Sequence, residues 1–474
     1  MRYSCKKIIR FGLVFSFLVF SCVSTPKVQE TEVIEDVQPT KKKMGKQEFG
    51  LMLQSFLVKG DYDGALSLFD NEDEVEKEVL EDVSTKILHL SILISANKID
   101  EANSLVAQLE KEYPDNVELL YCRAMIAQSK NDEKTKAEYL KKILAKTPHD
   151  SWALTEQGLD LYAKKNYKGA KQKFLAALKN SPKNVESLLG LARVNYMQNR
   201  LKDAEANLNL ALEVQKDNSI ALAELARIKS ETNRILQAVE DMKKATELDK
   251  DIPSHWLDLG IYSMQIGRKT EAKEAFSRVI ELDSSSYIAY IYRAGINDEL
   301  GLSDEALQDY NKIISLYPSY YFAFEGAGVL YVQKQDWEKA TSCFKNVLKR
   351  AANHYQYAIL SAFCLYKAGK EKEGKELVRE YTKVMDREKE ETAYFLTRLF
   401  FENTGDNDVN NRVAKLKGKT EYYRMMYYLG AYYELMGKNL TAEKCYLEVL
   451  EAKVPSFIEY RLTKIGMNRL KQNS

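Results

Sequence analysis

SWALTEQGLDLYAKKNYKGAKQKFLAALKNSPKN, residues 151–184, decides the fold. Apolar residues recur at i, i+3, i+4 and i+7 in two stretches, separated by KKN and closed by Pro182. That pattern describes two amphipathic helices joined by a tight turn. Within this 34-residue unit Gly158, Leu161, Tyr167, Ala170, Phe174, Ala177 and Pro182 take positions 8, 11, 17, 20, 24, 27 and 32.

The same ruler fits the flanking sequence without adjustment. Units of 34 residues begin at 83, 117, 151, 185, 219, 253, 287, 321, 355, 389 and 423, and an earlier one at 46 fits after a three-residue insertion. Position 20 then holds Ala102, Lys136, Ala170, Ala204, Ala238, Ala272, Ala306, Ala340, Gly374, Asp408 and Ala442. Eight alanines and one glycine in eleven places mark the point where two antiparallel helices must approach closely. Position 8 holds Gly158, Gly260, Gly328 and Gly430 for the same reason. Position 24 supplies an apolar plug, among them Phe174, Leu208, Met242, Phe276, Tyr310, Phe344 and Tyr446. Proline gives an independent check, since it costs about 3 kcal/mol or more inside a helix. Pro114, Pro148, Pro182 and Pro318 all fall at position 32, where the second helix ends, and no proline lies inside an expected helix.

This spacing code resembles the tetratricopeptide repeat (TPR). The resemblance implies an all-α, helix-turn-helix solenoid with a right-handed superhelical twist, built from about 11–12 repeats over residues 46–456. Residues 457–474 are expected to form a capping helix with a polar outer face. The unit at 389–422 departs from the code, with Asp408 where Ala belongs and Arg412 at the plug, so a loosened segment is expected there.

In TPR proteins, positions 2, 5, 9 and 12 of the first helix face a concave groove that contacts peptides. Carried onto this chain, these positions include Tyr121, Met125, Trp152, Leu159, Tyr162, Arg193, Tyr196 and Arg227. Aromatic rings, Met and two arginines on consecutive units suit an extended or helical protein segment, and Arg193 with Arg227 could grip a carboxylate. The Lys and Asn pattern of chaperone-tail-binding TPRs is absent at these positions. Tyrosine is concentrated toward the carboxyl terminus, with 21 of the 30 from Tyr287 onward. There residues 427–465 also resemble NlpI-type TPR lipoproteins, through YLGAYY and through Phe457, Glu459 and Arg461. That resemblance implies an envelope adaptor, although the array here is longer.

The amino-terminal MRYSCKKIIR is cationic, and the following FGLVFSFLVFS is a largely apolar stretch of eleven residues. As a helix it would reach about 16 Å, roughly half of a hydrocarbon core near 30 Å, which suits the apolar part of an export signal. Ser21-Cys22 at its end resembles the lipobox of bacterial lipoproteins, of the relaxed spirochaete type, and implies that residues 1–21 are removed and Cys22 is acylated. An ordinary cleaved signal and an uncleaved anchor are the other readings. Polar residues 22–45, with Pro26 and Pro39, are expected to form a flexible tether with a reach of about 26 Å. Removing residues 1–21 takes the formal net charge from +1 to −3, so no basic surface for nucleic acid is indicated.

No catalytic or cofactor chemistry is legible. The histidines His89, His149, His255 and His354 and the cysteines beyond Cys22 are scattered without metal-ligand spacing, although Cys343 and Cys364 could lie on adjacent helices. No phosphate loop, dinucleotide turn or hydrolase motif occurs. The expectation is a non-enzymatic, cofactor-free scaffold, lipid-anchored on the periplasmic side of a bacterial envelope, the outer membrane preferred, that binds envelope proteins or peptide segments. An accessory lipoprotein of a periplasmic solute transporter and a surface-exposed, host-contacting lipoprotein are the alternatives. The sequence sets no oligomeric state.

Overall fold

The structure, a computed structural model, describes residues 43–351, 354–453 and 457–472. The expected signal segment and Cys22 lie outside them. The described residues form twenty-six α-helices, and the sole extended pairing among them is an isolated bridge between Met44 and Val75. The tether expected to run through Gly45 is fixed from Met44, which is buried and whose N–H donates to the Glu74 carbonyl at 2.7 Å.

First helices open at Val83, Val117, Ser151, Val185, Ser219, Pro253, Tyr287, Tyr321 and Tyr355, each 34 residues after the last. Each spans thirteen residues and is followed, after a three-residue turn, by a second helix of fourteen. This is the helix-turn-helix solenoid that the repeat code implies.

The turn has one backbone geometry throughout. Position 15 is left-handed in Asn97, Asn131, Lys165, Asn199, Asn233, Gly267, Gly301, Gln335, Gly369, Asn403 and Gly437. Except after Asn403, the next residue's N–H reaches back to the carbonyl of position 11, as in Asn166 to Leu161 at 2.8 Å and Arg268 to Ser263 at 2.9 Å. These six-to-one bonds satisfy carbonyls that the first helix would otherwise leave open. Glycine accepts the conformation freely and asparagine nearly so, which explains most of the residues found there.

Close packing of the pair is equally legible. Phe174 is fully buried, and a Cβ on Gly158 or Gly190 would stand 2.6 or 2.4 Å from its ring. The ring is thus clasped between its own first helix and that of the next repeat. Phe276 against Gly260, Phe344 against Gly328 and Tyr446 against Gly430 repeat the arrangement.

One position breaks the small-residue rule and is compensated by charge. Lys136 stands where Ala belongs, is only 3% exposed, and its Nζ meets Glu156 Oε2 at 2.7 Å and Asp160 Oδ1 at 3.0 Å on the next first helix. The departing unit also keeps a helix pair. Glu391–Glu402 is followed by a shortened Asp406–Ala414, whose Val409 and Val413 are buried. Arg412 lies over the Phe395 ring at 4.1 Å and pairs with Glu391 at 2.8 Å. The first helix after it begins early, as Lys419–Leu435.

The chain divides into two compact units between Ala221 and Leu222. In the second unit the tyrosines enrich the core: Tyr427, Tyr428 and Tyr446 are among its largest fully buried side chains. Each buried hydroxyl needs a partner. Tyr355 donates to Glu421 at 2.9 Å, Tyr428 to Glu459 at 3.0 Å and Tyr446 to Glu434 at 2.8 Å. Tyr357 and Tyr422 donate to Glu325 and Glu448. Tyrosine here does the packing of Phe while ordering carboxylates in the interior.

Candidate partner-binding surface

In the first unit, substantial helix contacts among the described residues run between neighbours along the chain. The face built from first helices therefore carries no other described segment. Its residues do not all point outward. Met125 is 5% exposed and belongs to the core, where it is reachable only by repacking. At position 5 two further residues are interior: Thr155 is buried, its hydroxyl 2.6 Å from that of Ser187, and Leu189 is buried too.

The other expected residues sit half-buried at the joints between repeats. Tyr121 and Trp152 lie ring to ring at 5.2 Å, and the Tyr121 hydroxyl donates to Asp150 Oδ2 at 2.6 Å. Asp150 also caps the Ser151–Ala163 helix by accepting from Ala153 N at 2.7 Å, so the tyrosine is held by the start of the next repeat. Burial, then the Asp150 carboxylate, push the Tyr121 phenol upward, so it stays a neutral donor. Leu159 and Tyr162 pack beside Phe174 and Leu191, with Tyr162 5.6 Å from the Tyr167 ring. Arg193 and Tyr196 are half-buried one repeat further on. Burial also raises the carboxyl of Glu118 at the edge of this surface.

Arg227 belongs to the second unit and is engaged there, 3.7 Å from Asp258 Oδ2. Burial raises the Asp258 carboxyl, and Arg227 offsets part of that rise.

The corresponding face of the second unit is covered. The closing helix, Ile458–Gln472, packs against Tyr321–Gln333 and Lys419–Leu435 as well as its predecessor Asn439–Glu451. Three charged side chains fix it. Arg461 Nη2 donates to both oxygens of Asp298 at 2.8 and 2.7 Å, across 163 residues of sequence. Glu459 is buried against the Tyr428 hydroxyl and 3.4 Å from Arg424. Arg469 pairs with Glu434 and lies over the Trp337 and Phe363 rings at 5.6 and 5.4 Å. The expected cap is thus also a long-range brace whose inner face is charged. Sequence reasoning missed this, because repeat periodicity specifies contacts only with adjacent repeats.

Cys122, Cys343, Cys364 and Cys445 are buried free thiols, and burial pushes Cys122, Cys343 and Cys445 up to about 12. Among the described residues no group of three or more His, Cys, Asp or Glu is placed to hold a metal ion, and no helix is long and apolar enough to cross a membrane.

Residues 155–219 and 257–321 match the tetratricopeptide repeat family, and residues 220–252 match a second tetratricopeptide repeat description. The chain therefore contains tetratricopeptide repeats. A TPR repeat-containing protein of Pseudomonas aeruginosa is 29% identical over 116 residues, 24% of this chain and 20% of the relative, so the match spans about a fifth of that protein's length. Among solved structures the chain is similar to YrrB, described as a TPR protein with an unusual peptide-binding site, at a TM-score of 0.36 and 21% identity over 38% of this chain and 93% of that one. A tetratricopeptide repeat protein from Parabacteroides merdae gives a TM-score of 0.34 and 19% identity over 52% of this chain and 98% of that one. PilW, described as a widely conserved type IV pilus biogenesis factor, gives 0.38 and 20% over 42% and 92%.

Proposed function

We propose that this chain is a scaffold of a bacterial envelope, lipid-anchored through Cys22, that binds segments of partner proteins on the first-helix face of its first unit. Tetratricopeptide repeats imply protein or peptide partners. The observation that carries the choice of surface is the contrast between the two units. In the second unit the chain's own closing helix lies on that face, while in the first unit Tyr121, Trp152, Leu159, Tyr162, Arg193 and Tyr196 are half-exposed along it. Rigid aromatic groups held by neighbouring repeats offer contact area at low entropic cost, and Arg193 supplies a charged contact. The anchor and the compartment rest on the amino-terminal sequence: a cationic start, a short apolar stretch and Ser21-Cys22 before a polar segment. Several acyl chains at about 0.8 kcal/mol per buried CH₂ give durable attachment.

The test is recovery of cross-linked envelope proteins with the full chain and with a Leu159→Ser/Tyr162→Ala/Tyr196→Ala variant. The wild type is expected to retain specific envelope partners and the variant to lose them, while alanine in place of Tyr317, an exposed tyrosine of the second unit, keeps them. Equal recovery by all three would overturn the assignment of the surface. Cys22→Ala is expected to release the protein from membranes, and persistence in the membrane fraction would overturn the anchor.

A further inference from the structure

The opening edge of the array lacks the cover that later joints have. In later repeats position 6 of the first helix meets the second helix before it. A Cβ on Gly190 would stand 2.4 Å from the Phe174 ring, and one on Gly326 2.5 Å from that of Tyr310. No described helix precedes Lys46–Lys59, and Leu51 at its position 6 is 62% exposed. Val58, seven residues on and so on the same face, is 66% exposed, and Met52 at the margin is exposed too. No other described helix of the first unit carries three exposed large apolar side chains.

Charge and chain position together single out what covers this face. Between Thr40 and Gly60 the sequence carries Lys41, Lys42, Lys43, Lys46 and Lys59 against one acid, Glu48. Lys46 pairs with Asp82 at 3.3 Å, but Lys43 Nζ donates to the neutral Glu72 carbonyl at 2.6 Å, and Lys59 is exposed at the end of the apolar face. Apolar side chains with lysines at both ends fit an anionic lipid surface. Met44 is twenty-two residues from Cys22, so an acyl anchor there would hold the helix at a root-mean-square distance of about 26 Å from a bilayer. Head-to-tail stacking on a second copy is not available, because the closing helix already covers the last repeat.

We infer that the outer face of Lys46–Lys59 lies on the anionic lipid surface to which the chain is anchored. This rests on the Cys22 anchor proposed above and adds a second point of attachment, which turns the first repeat toward the bilayer. Gln47, Glu48 and Ser55 are exposed beside the aliphatic groups, so the contact reaches headgroup depth without insertion of the helix. A short tether supplies an effective concentration of about a millimolar or more, enough to sustain a contact that is weak by itself. The contact does not hold an unanchored chain on washed membranes, so the release expected of Cys22→Ala stands.

The test is sedimentation of the processed chain, residues 22–474, made without acyl groups, with vesicles of phosphatidylglycerol and phosphatidylethanolamine in equal parts or of phosphatidylcholine alone. Half-binding to the anionic vesicles is expected at or below about 10 mM lipid, and binding to phosphatidylcholine at least roughly tenfold weaker. Leu51→Ser/Val58→Ser changes only exposed side chains and is expected to weaken the anionic binding at least roughly tenfold. Leu175→Ser, at an exposed leucine of Tyr167–Asn180, is expected to keep it. The inference is overturned if wild type does not bind the anionic vesicles at about 10 mM lipid, or if folded Leu51→Ser/Val58→Ser binds like wild type. It is overturned equally if sedimentation equilibrium shows a wild-type dimer that this variant dissolves, since a second copy would then cover the face. With no acyl group present, failure here leaves the anchor itself, tested by Cys22→Ala, intact.

Discussion

Arg469 and Glu434, thirty-five residues apart, form a buried pair in which Nε donates to Oε1 and Nη2 to Oε2, both at 3.1 Å. Their side chains are 7% and 4% exposed, and Glu434 also receives Lys367 Nζ and the Tyr446 hydroxyl, each at 2.8 Å. A carboxylate with four donors is well compensated for leaving water, and removing its principal cation is not. Arg469→Ala is therefore expected to destabilise the second unit by about 3–5 kcal/mol, with Glu434→Gln in the same chain restoring part of the loss. Hydrogen exchange across residues 419–472 under mild urea checks it, and a loss below about 1 kcal/mol would show that the brace is dispensable.

The two buried carboxylates of this brace respond to pH with opposite sign. Burial alone would raise Glu434, but Arg469 and Lys367 outweigh it and hold the carboxyl below its ordinary value of 4.5. Its stabilisation is present above that value and is lost as pH falls through the lower folded one. Glu459 is the reverse, since burial raises it and Arg424 only partly offsets the rise. The fold disfavours its charged form, so acidification from neutral toward 4.5 adds stability until the unfolded chain is protonated too. Glu434→Gln should flatten the acid limb of a urea-midpoint profile, whereas Glu459→Gln should remove a gain on approach to 4.5. If both variants shift the profile the same way, the account of one of them is wrong.

Most of this fold is legible because each repeat solves the same local problem. Small residues at position 20, plugs at position 24 and prolines at position 32 report close approach, filling and helix ends, all set within about one repeat. Gly267, Gly301, Gly369 and Gly437 mark the left-handed turn by residue type alone, and Asn97, Asn131, Asn199 and Asn233 carry the same message by a weaker preference. Lys165 and Gln335 carry no such signal and adopt the conformation because the packed pair imposes it. The candidate surface was legible only in part. Thr155 and Met125 lie on the first helix at groove positions, yet the neighbouring repeat covers them, and burial of that kind depends on how repeats stack. The pairing of Arg461 with Asp298 was not legible at all, because it depends on curvature accumulated over several repeats.

Phe174 gives a sharp test of packing between repeats. A Cβ at Gly190 would sit 2.4 Å from its fully buried ring, so Gly190→Ala is expected to cost about 1–3 kcal/mol through forced displacement. At Gly295, inside Tyr287–Glu299, nothing lies within 4 Å of the added carbon, and Gly295→Ala should stabilise by about 0.5–1 kcal/mol. Urea unfolding of the two variants should move in opposite directions, and a neutral Gly190→Ala would contradict the packing described for the ring.

Lys136 is where the repeat code and the structure advise opposite substitutions. The code asks for alanine at position 20, which predicts that Lys136→Ala helps the two helices approach. In the folded chain the ammonium stands between Glu156 and Asp160 at 2.7 and 3.0 Å, and burial, which lowers its pKa, is outweighed by those two carboxylates, which raise it above 10.5. Alanine would leave both carboxylates without their cation in a largely buried site, so Lys136→Ala is expected to destabilise the first unit by about 3 kcal/mol. Adding Glu156→Gln and Asp160→Asn should recover most of that loss, because neutral side chains no longer need the ammonium. The raised pKa fixes the alkaline behaviour as well: the lysine's contribution is complete below its unfolded value and is lost as pH rises through the folded one, so wild type should lose its advantage over Lys136→Ala only above about 10.5. Thermal unfolding of the three proteins at neutral and alkaline pH reads both effects, and a Lys136→Ala variant as stable as wild type at neutral pH would return this position to the general code.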